Sequence, residues 1–129
     1  MQHSLCRLVF LMVLFFILPG CGGESPLKEL PSQVILESYA PNGELISKRI
    51  LPMDDAVYLN LISFFEMQRV GWKVNVTSYK TAPFILRANN TIIRCYQDLM
   101  VIDTVDSGSS KSVKKVVPGL LLKLSLRVE

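Results

Sequence analysis

Histidine is nearly absent from this chain of 129 residues, and its absence limits the chemistry that the chain can carry out. The one histidine, His3, lies in the first twenty residues, which a pattern described below predicts to be removed. A chain without histidine cannot build a Ser-His-Asp or Cys-His catalytic site, or a histidine-ligated zinc or copper site. A glycine-rich phosphate loop and a GxSxG motif are missing as well. The sequence therefore predicts a protein that is not an enzyme and that uses no cofactor.

Acidic metal loops and a strong charge imbalance are also missing. Asp98, Asp103 and Asp106 lack the alternating spacing and the glycine of a calcium loop, so no metal site is predicted. The formal net charge is only +3 at pH 7. Because nucleic-acid binding needs a strong basic excess, no nucleic-acid partner is expected.

The first twenty residues have the composition of a secretory signal peptide. Arg7 gives a positive start, and residues 8–18 (LVFLMVLFFIL) are unbroken apolar sequence. A membrane-spanning helix needs roughly 20 apolar residues, so a permanent transmembrane anchor is the weaker interpretation. We therefore expect residues 1–20 to be a cleaved leader.

The end of this leader, Leu18-Pro19-Gly20-Cys21, resembles the lipobox of bacterial lipoproteins. The resemblance covers only the first two dozen residues. It implies diacylglyceryl attachment to the Cys21 sulfur, cleavage between Gly20 and Cys21, and acylation of the new amino terminus. Two or more acyl chains anchor a protein stably, whereas one does so only marginally. Gly22 stands where an aspartate would be, which resembles lipoproteins passed on to the outer membrane of Gram-negative bacteria.

This resemblance implies a lipid-anchored lipoprotein of the bacterial envelope that faces the periplasm from the outer membrane. Its domain is expected to bind or scaffold an envelope protein or polymer without catalysing a reaction. The alternative is a secreted domain, cleaved without lipidation, that acts as an inhibitor or binds a small ligand through the loops around Asn89 and Lys111. A carboxylate-dependent hydrolase is a third, less favoured class, and it would need two converging carboxylates in a deep pocket.

The remaining cysteines follow from this interpretation. Cys6 leaves with the leader and Cys21 carries lipid, so Cys95 has no partner for a disulfide. Cys95 lies in the strand-like stretch TIIRCYQ, where we expect a small buried apolar residue and not a nucleophile. Two other roles for Cys21 stay open: an ordinary secreted cysteine near a cleavage site, or a half-cystine paired with Cys95.

Residues 21–31 (CGGESPLKELP) are predicted to be a tether, and residues 32–129 one α+β domain. Residues 33–39 and 44–51 are strand-like and are joined by Ala-Pro-Asn-Gly, which predicts a β-hairpin. A helix is predicted over residues 55–70, with Asp54 as its N-cap, Gly71 just past its end and Trp72 folding back on Met67. Its expected core face is formed by side chains at helical spacing: Val57, Tyr58, Leu61, Ile62, Phe64 and Phe65.

The second half of the chain is predicted to be a meander. Residues 72–79 alternate in polarity as a half-buried strand does, and residues 84–88 and 91–96 form a second hairpin across Asn89-Asn90. Residues 99–105 are expected to be a central strand, residues 106–115 a polar loop, and residues 120–128 a returning strand. The predicted fold is one antiparallel sheet covered on one face by one helix, with an architectural likeness to cystatin-like and β-grasp domains.

Two surfaces are candidates for contact with a partner. Leu59, Met67 and Val70 fall on the polar side of the predicted helix, where either the tether covers them or they form a partner surface. Of these two, covering by the tether is the favoured interpretation. The second surface is the lysine cluster Lys111, Lys114 and Lys115. We expect it to be a solvated loop face, with transient contact with phospholipid headgroups or anionic polymers as the alternative.

Overall fold

The computed structural model describes residues 27, 29–106 and 108–127. The predicted leader, its cleavage site at Gly20 and the lipid-bearing Cys21 lie outside these residues. Within the described part of the chain there are seven strands and two helices. They are, in chain order, β1 (Val34–Tyr39), β2 (Leu45–Leu51), α1 (Ala56–Met67), β3 (Lys73–Val74), β4 (Phe84–Ala88), β5 (Thr91–Cys95), β6 (Leu99–Asp106), β7 (Ser109–Val116) and α2 (Leu120–Lys123).

The strands form a single open antiparallel sheet in the order β2-β1-β4-β5-β6-β7-β3. With one main helix, this arrangement confirms the α+β class. The chain enters at one edge with the β1–β2 hairpin and passes through α1 to β3 at the opposite edge. It then returns to the middle of the sheet and runs back outward as the meander β4 to β7.

Both predicted hairpins are confirmed, because their turns depend on local chemistry. Gly43 adopts a φ of +88°, and the side chain of Asn42 accepts a hydrogen bond from the Glu44 amide at 3.1 Å. In the second turn Asn89 adopts a φ of +55°. Asparagine and glycine reach this left-handed region at low cost, so each turn fixes the register of the strands beside it.

Helix α1 differs from the prediction at both ends. The N-cap is Asp55 and not Asp54, since a carboxylate oxygen of Asp55 accepts the Val57 amide at 2.9 Å. The helix ends at Met67, three residues early, because Gln68 leaves helical geometry. The Trp72 indole donates to the Gln68 carbonyl at 2.7 Å, and its ring stacks on Phe65.

The hydrophobic core is one cluster that contains buried side chains of α1 and of one face of the sheet. Cross-strand pairing places one buried row on five adjacent strands: Leu36, Leu86, Ile93, Ile102 and Val113. These side chains share one cluster with the buried positions of the helix, which are Val57, Tyr58, Leu61, Phe64 and Phe65. Ile62, the sixth predicted core position, is exposed.

The C-terminal region was predicted wrongly. Residues 106–115 are not a loop, because Ser109–Val116 pair along their whole length with β6 as strand β7. Residues 120–127 of the predicted returning strand form the short helix α2 and a turn, while residue 128 lies outside the described residues. Leu120 and Leu124 are four residues apart and both buried, whereas Leu122 is 84% exposed. The alternating leucines fit the two-residue repeat of a strand. In the structure Leu120 and Leu124 are buried instead at the four-residue spacing of a helix.

The predicted strand over residues 72–79 is also wrong in extent. The strand β3 covers only Lys73–Val74, at the outer edge of β7, and the Asn75 amide adds one hydrogen bond to the Ser112 carbonyl at 2.9 Å. Trp72 is buried, but Val74 and Val76 are exposed, and no described strand lies beyond β3. Among the described residues no helix has both the length and the apolar character needed to cross a membrane.

The N-cap assignment can be tested by substitution. Asp55 also accepts a hydrogen bond from Arg49 at 2.9 Å, and this contact is the main reason that the pKa of Asp55 lies below its usual value of 3.8. We expect Asp55→Ala to lower the free energy of unfolding by about 1 kcal/mol, as loss of a helix N-cap does. Asp54→Ala is the matched control, and its effect is expected to be smaller than about 0.5 kcal/mol.

The sign of the pH dependence follows from the lowered pKa. A carboxyl group with a lowered folded-state pKa stabilises the protein above its unfolded-state pKa, and that contribution disappears as the pH falls through the folded-state value. The difference between wild type and Asp55→Ala, measured by urea unfolding, should therefore be full at pH 7 and shrink below about pH 4. A larger loss for Asp54→Ala than for Asp55→Ala would contradict the cap.

A candidate binding groove beside helix α1

An open cavity of about 760 Å³ lies between α1 and the segment that precedes β1. Buried side chains of α1, Tyr58 and Phe65, form part of its lining, together with Ile62 on the same flank of the helix. The lining is mostly apolar and carries three charged residues. Its members are Leu27, Glu29, Leu30, Met53, Tyr58, Ile62, Phe65, Glu66, Arg69 and Val70.

The wall opposite the helix belongs to the segment that sequence patterns assign to the tether. Leu27 and Leu30 are partly buried and pack against the hydrophobic core. The buried Tyr58 side chain donates its hydroxyl to the Pro31 carbonyl at 2.9 Å. Leu27, Leu30 and Pro31, which precede the predicted domain boundary at residue 32, therefore contact the folded domain.

The charged residues of the groove are two carboxylates and one guanidinium. Glu29 and Glu66 are both exposed, and the Arg69 side chain donates to the Glu66 carbonyl at 3.1 Å. General acid catalysis by paired carboxyls requires their environments to differ, usually through burial of one of them. Two exposed glutamates do not meet that requirement. The groove is suited instead to an apolar or amphipathic ligand.

The predicted surface formed by Leu59 and Met67 is not one patch. Leu59 is 49% exposed and Met67 is 81% exposed, while most of the predicted tether lies outside the described residues. At about 100° per residue these two side chains point roughly 80° apart around the helix axis. Val70 lines the groove, as Ile62 does.

The predicted lysine cluster is likewise divided. Lys114 lies on the outer face of the sheet, where its ammonium group is 3.1 Å from the Tyr79 hydroxyl and 5.8 Å from the centre of its ring. Lys111 and Lys115 point to the opposite face, because alternate residues of β7 do so. Lys115 donates to the Val70 carbonyl at 2.6 Å. A solvated loop face is therefore the wrong description of these residues, since they lie on a strand.

Lys111 lines a second depression of about 510 Å³, which is more polar than the groove and lies near the start of β7. The register pairs Thr91 with Thr104 and Thr104 with Lys111, so the Asn89-Asn90 turn lies at the same end of the sheet. Asn89 does not line the depression. The Asn89-Asn90 turn and Lys111, which the alternative function places in one site, are thus near each other. Only Lys111 lines a concave surface.

Cys95 is fully buried, as predicted. Burial without a compensating charge raises the pKa of the Cys95 thiol to about 12. A thiol with such a pKa stays protonated near neutral pH, and the thiolate is the nucleophilic form. Cys95 therefore acts as a small apolar core residue.

The aspartates considered for calcium have separate structural contacts. Asp98 accepts a hydrogen bond from the Gly119 amide at 2.9 Å, and Asp103 pairs with Arg94 at 2.6 Å. In the described ranges no group of three or more histidine, cysteine, aspartate or glutamate side chains is placed to hold a metal ion.

Comparison of the chain with protein-family models, curated proteins and solved structures found no match.

The hydrogen bond at Tyr58 gives a test of the groove wall. We expect Tyr58→Phe to lower the free energy of unfolding by about 1 kcal/mol, because it removes one partly buried hydrogen bond without changing the ring. Amide hydrogen exchange at residues 29–33 should become faster than in wild type. Tyr79→Phe is the control, since the Tyr79 hydroxyl contacts Lys114 far from this segment. Unchanged exchange in Tyr58→Phe would show that this bond does not hold the wall.

The burial of Cys95 gives a second test. A thiol reagent at pH 8 should leave Cys95 unmodified in the folded protein and modify it fully in urea, because labelling needs both access and thiolate. Mass analysis of the peptide that contains Cys95 reads the result for this residue alone. Fast labelling without denaturant would contradict the buried role.

Proposed function

We propose that this chain is a bacterial lipoprotein, anchored through Cys21, whose α+β domain binds or scaffolds another component of the cell envelope without catalysing a reaction. The observation that carries the proposal is the sequence Leu18-Pro19-Gly20-Cys21 directly after the apolar run of residues 8–18. Gly22 after the cysteine favours the outer membrane, with the domain facing the periplasm.

The position of the groove supports a role near the membrane. Leu27, a lining residue, is only six positions after Cys21. An extended chain spans at most about 3.3 to 3.6 Å per residue, so Leu27 would lie within roughly 20 Å of the lipidated sulfur. A partner that occupies the groove would therefore meet the protein close to the bilayer.

The arrangement of the core supports a rigid body for this role. Within the proposal α1 covers one face of the sheet, since its buried side chains share a cluster with the row that contains Leu86, Ile93 and Ile102. The leucines of the C-terminal segment, Leu120 and Leu124, extend the same cluster. Binding residues held by such a framework keep their geometry without a partner, which lowers the entropic cost of association.

The distribution of carboxylates supports binding over hydrolysis. On the sheet face opposite α1, Glu37 pairs with Arg87 and Asp103 with Arg94. These two carboxylates have arginine partners and stabilise the sheet surface by charge-assisted hydrogen bonds. The carboxylates in the groove are exposed at its lining, where a charged or amphipathic partner can contact them.

The size and lining of the groove favour a second candidate function, a secreted domain that binds a small ligand. Small-molecule sites are typically clefts of about 300 to 1,000 Å³ with apolar walls and a few polar groups. The groove has this volume and lining, and Arg69 offers a positive group for an anionic end of a ligand. The two functions differ in the amino terminus: acylated at Cys21 for the lipoprotein, unmodified for the secreted domain.

The anchor is tested by substitution of the cysteine. In a bacterial host supplied with labelled palmitate, the wild-type chain should incorporate label and sediment with membranes. Cys21→Ser should lose the label and either appear in the soluble fraction or accumulate as the uncleaved precursor. Cys6→Ser is the matched control, because it changes another cysteine of the same amino-terminal region.

Two outcomes decide between the candidate functions. Label in wild type and Cys6→Ser but not in Cys21→Ser supports the lipoprotein. A wild-type protein with an unmodified amino terminus and no membrane association would overturn it in favour of the secreted domain.

A further inference from the structure

Strand β2 forms one edge of the sheet, and no described strand pairs with its outer side. It is seven residues long, and only Leu51 at its end is buried. The strand at the other edge, β3, has two residues. One edge of the sheet is thus short, while the other presents a long row of free main-chain groups.

Exposed apolar side chains flank this free edge. Leu45, Ile46 and Ile50 are each more than half exposed. Lys48 and Ile50 lie on the face opposite α1 and Arg49 on the other face, and an irregularity in the pairing with β1 separates these residues from Leu45. Natural proteins usually shorten, cover or interrupt such an edge, because it is a template for another strand. An added strand would bury these side chains and pair the main chain.

The charges of β2 decide which strand fits. Arg49 already pairs with Asp55. Lys48 lies opposite Glu37 on β1, but Glu37 is buried and pairs with Arg87. In the described part of the chain Lys48 therefore has no salt bridge. A second copy paired about the centre of β2 would place Lys48 against Lys48, and like charges directly opposite are destabilising.

We propose that the free edge of β2 accepts an extended acidic segment of another protein as an added antiparallel strand. This names the partner for the binding role proposed above and rests on that role, but it does not depend on a lipid at Cys21. Main-chain hydrogen bonds supply affinity in this mode, and side chains at alternate positions supply specificity. A bilayer is the weaker occupant, because hydrocarbon leaves edge N–H and C=O groups unpaired.

The register of β2 defines a probe peptide. Read antiparallel to LISKRIL, glutamates opposite Lys48 and Arg49 and small β-branched residues elsewhere give TVEETVV. Two control peptides separate charge from main-chain pairing. TVKKTVV reverses the charge, and a TVEETVV peptide methylated at alternate backbone nitrogens keeps the charge but cannot form the full ladder.

Each fluorescent peptide is titrated into the full chain, which is purified from the cell fraction that contains it. Fluorescence anisotropy measures binding, and amide hydrogen exchange measures the protection of β2. TVEETVV should bind and protect residues 45–51 from exchange. Lys48→Glu should weaken it by about tenfold or more, since an attractive cross-strand pair becomes repulsive. Lys123→Glu is the matched control, with the same charge change at an exposed residue of α2, and it should bind as wild type does.

Four outcomes would overturn the proposal: no binding of TVEETVV, equal binding of TVKKTVV, equal binding of the methylated peptide, or no protection of β2. A β2-dependent dimer seen by sedimentation would assign the edge to a second copy. Protection of β2 by phosphatidylglycerol vesicles, without protection by TVEETVV, would assign it to the membrane. If TVEETVV does not bind but Cys21 is labelled with palmitate, the strand partner is ruled out and the proposed lipoprotein function is unaffected.

Discussion

The rest of the structure depends on one buried row of side chains that crosses five strands and packs with α1. Leu36, Leu86, Ile93, Ile102 and Val113 lie in register on the core face, and each is nearly or fully buried. Burying one such side chain contributes about 1.5 to 3 kcal/mol, so this row and its helix partners supply a large part of the favourable energy of folding. Since a shift by one residue would turn the row outward, the core also fixes the strand register.

The row ends differently at the two edges, and the surfaces available for binding follow from that difference. At the β2 edge the next position is Arg49, which pairs with the N-cap carboxylate of α1. At the other edge it is Val74, which is exposed. The buried row therefore stops at β1 on one side and at β7 on the other, and Leu51 is the one residue of β2 that belongs to the core. Besides its main-chain pairing with β1, β2 is held by burial of Leu51 and by the contact between Arg49 and Asp55, while Leu45, Ile46 and Ile50 stay exposed to a partner.

Sequence patterns were reliable where structure is decided locally. The turns at Asn42-Gly43 and Asn89-Asn90 need residues that tolerate positive φ, so both hairpins could be predicted. The existence of α1 followed from apolar spacing. Its end could not be predicted in the same way, because it depends on the Trp72 indole reaching the Gln68 carbonyl.

The errors and the missed site have tertiary causes. Strand β7 is rich in serine and lysine, and its main chain is ordered by pairing with β6 on one side and β3 on the other. The leucines from Leu120 onward satisfy both a strand and a helix pattern, and burial of Leu120 and Leu124 selects the helix. The groove could not be predicted because Leu27 and Leu30 lie in a sequence typical of a tether. Their packing on the core and the hydrogen bond from Tyr58 to the Pro31 carbonyl are tertiary contacts.

The proposed lipid anchor would affect how the open edge of β2 behaves. Tethering copies of a protein to one surface raises their effective concentration, and with it the tendency of free strand edges to pair. Lys48 opposes this at low cost, because its charge is exposed and solvated in the single molecule but faces its own copy in a symmetric pair. The same charge attracts an acidic strand. One lysine in the middle of an apolar edge can thus discourage self-association while leaving the edge open to a partner of opposite charge.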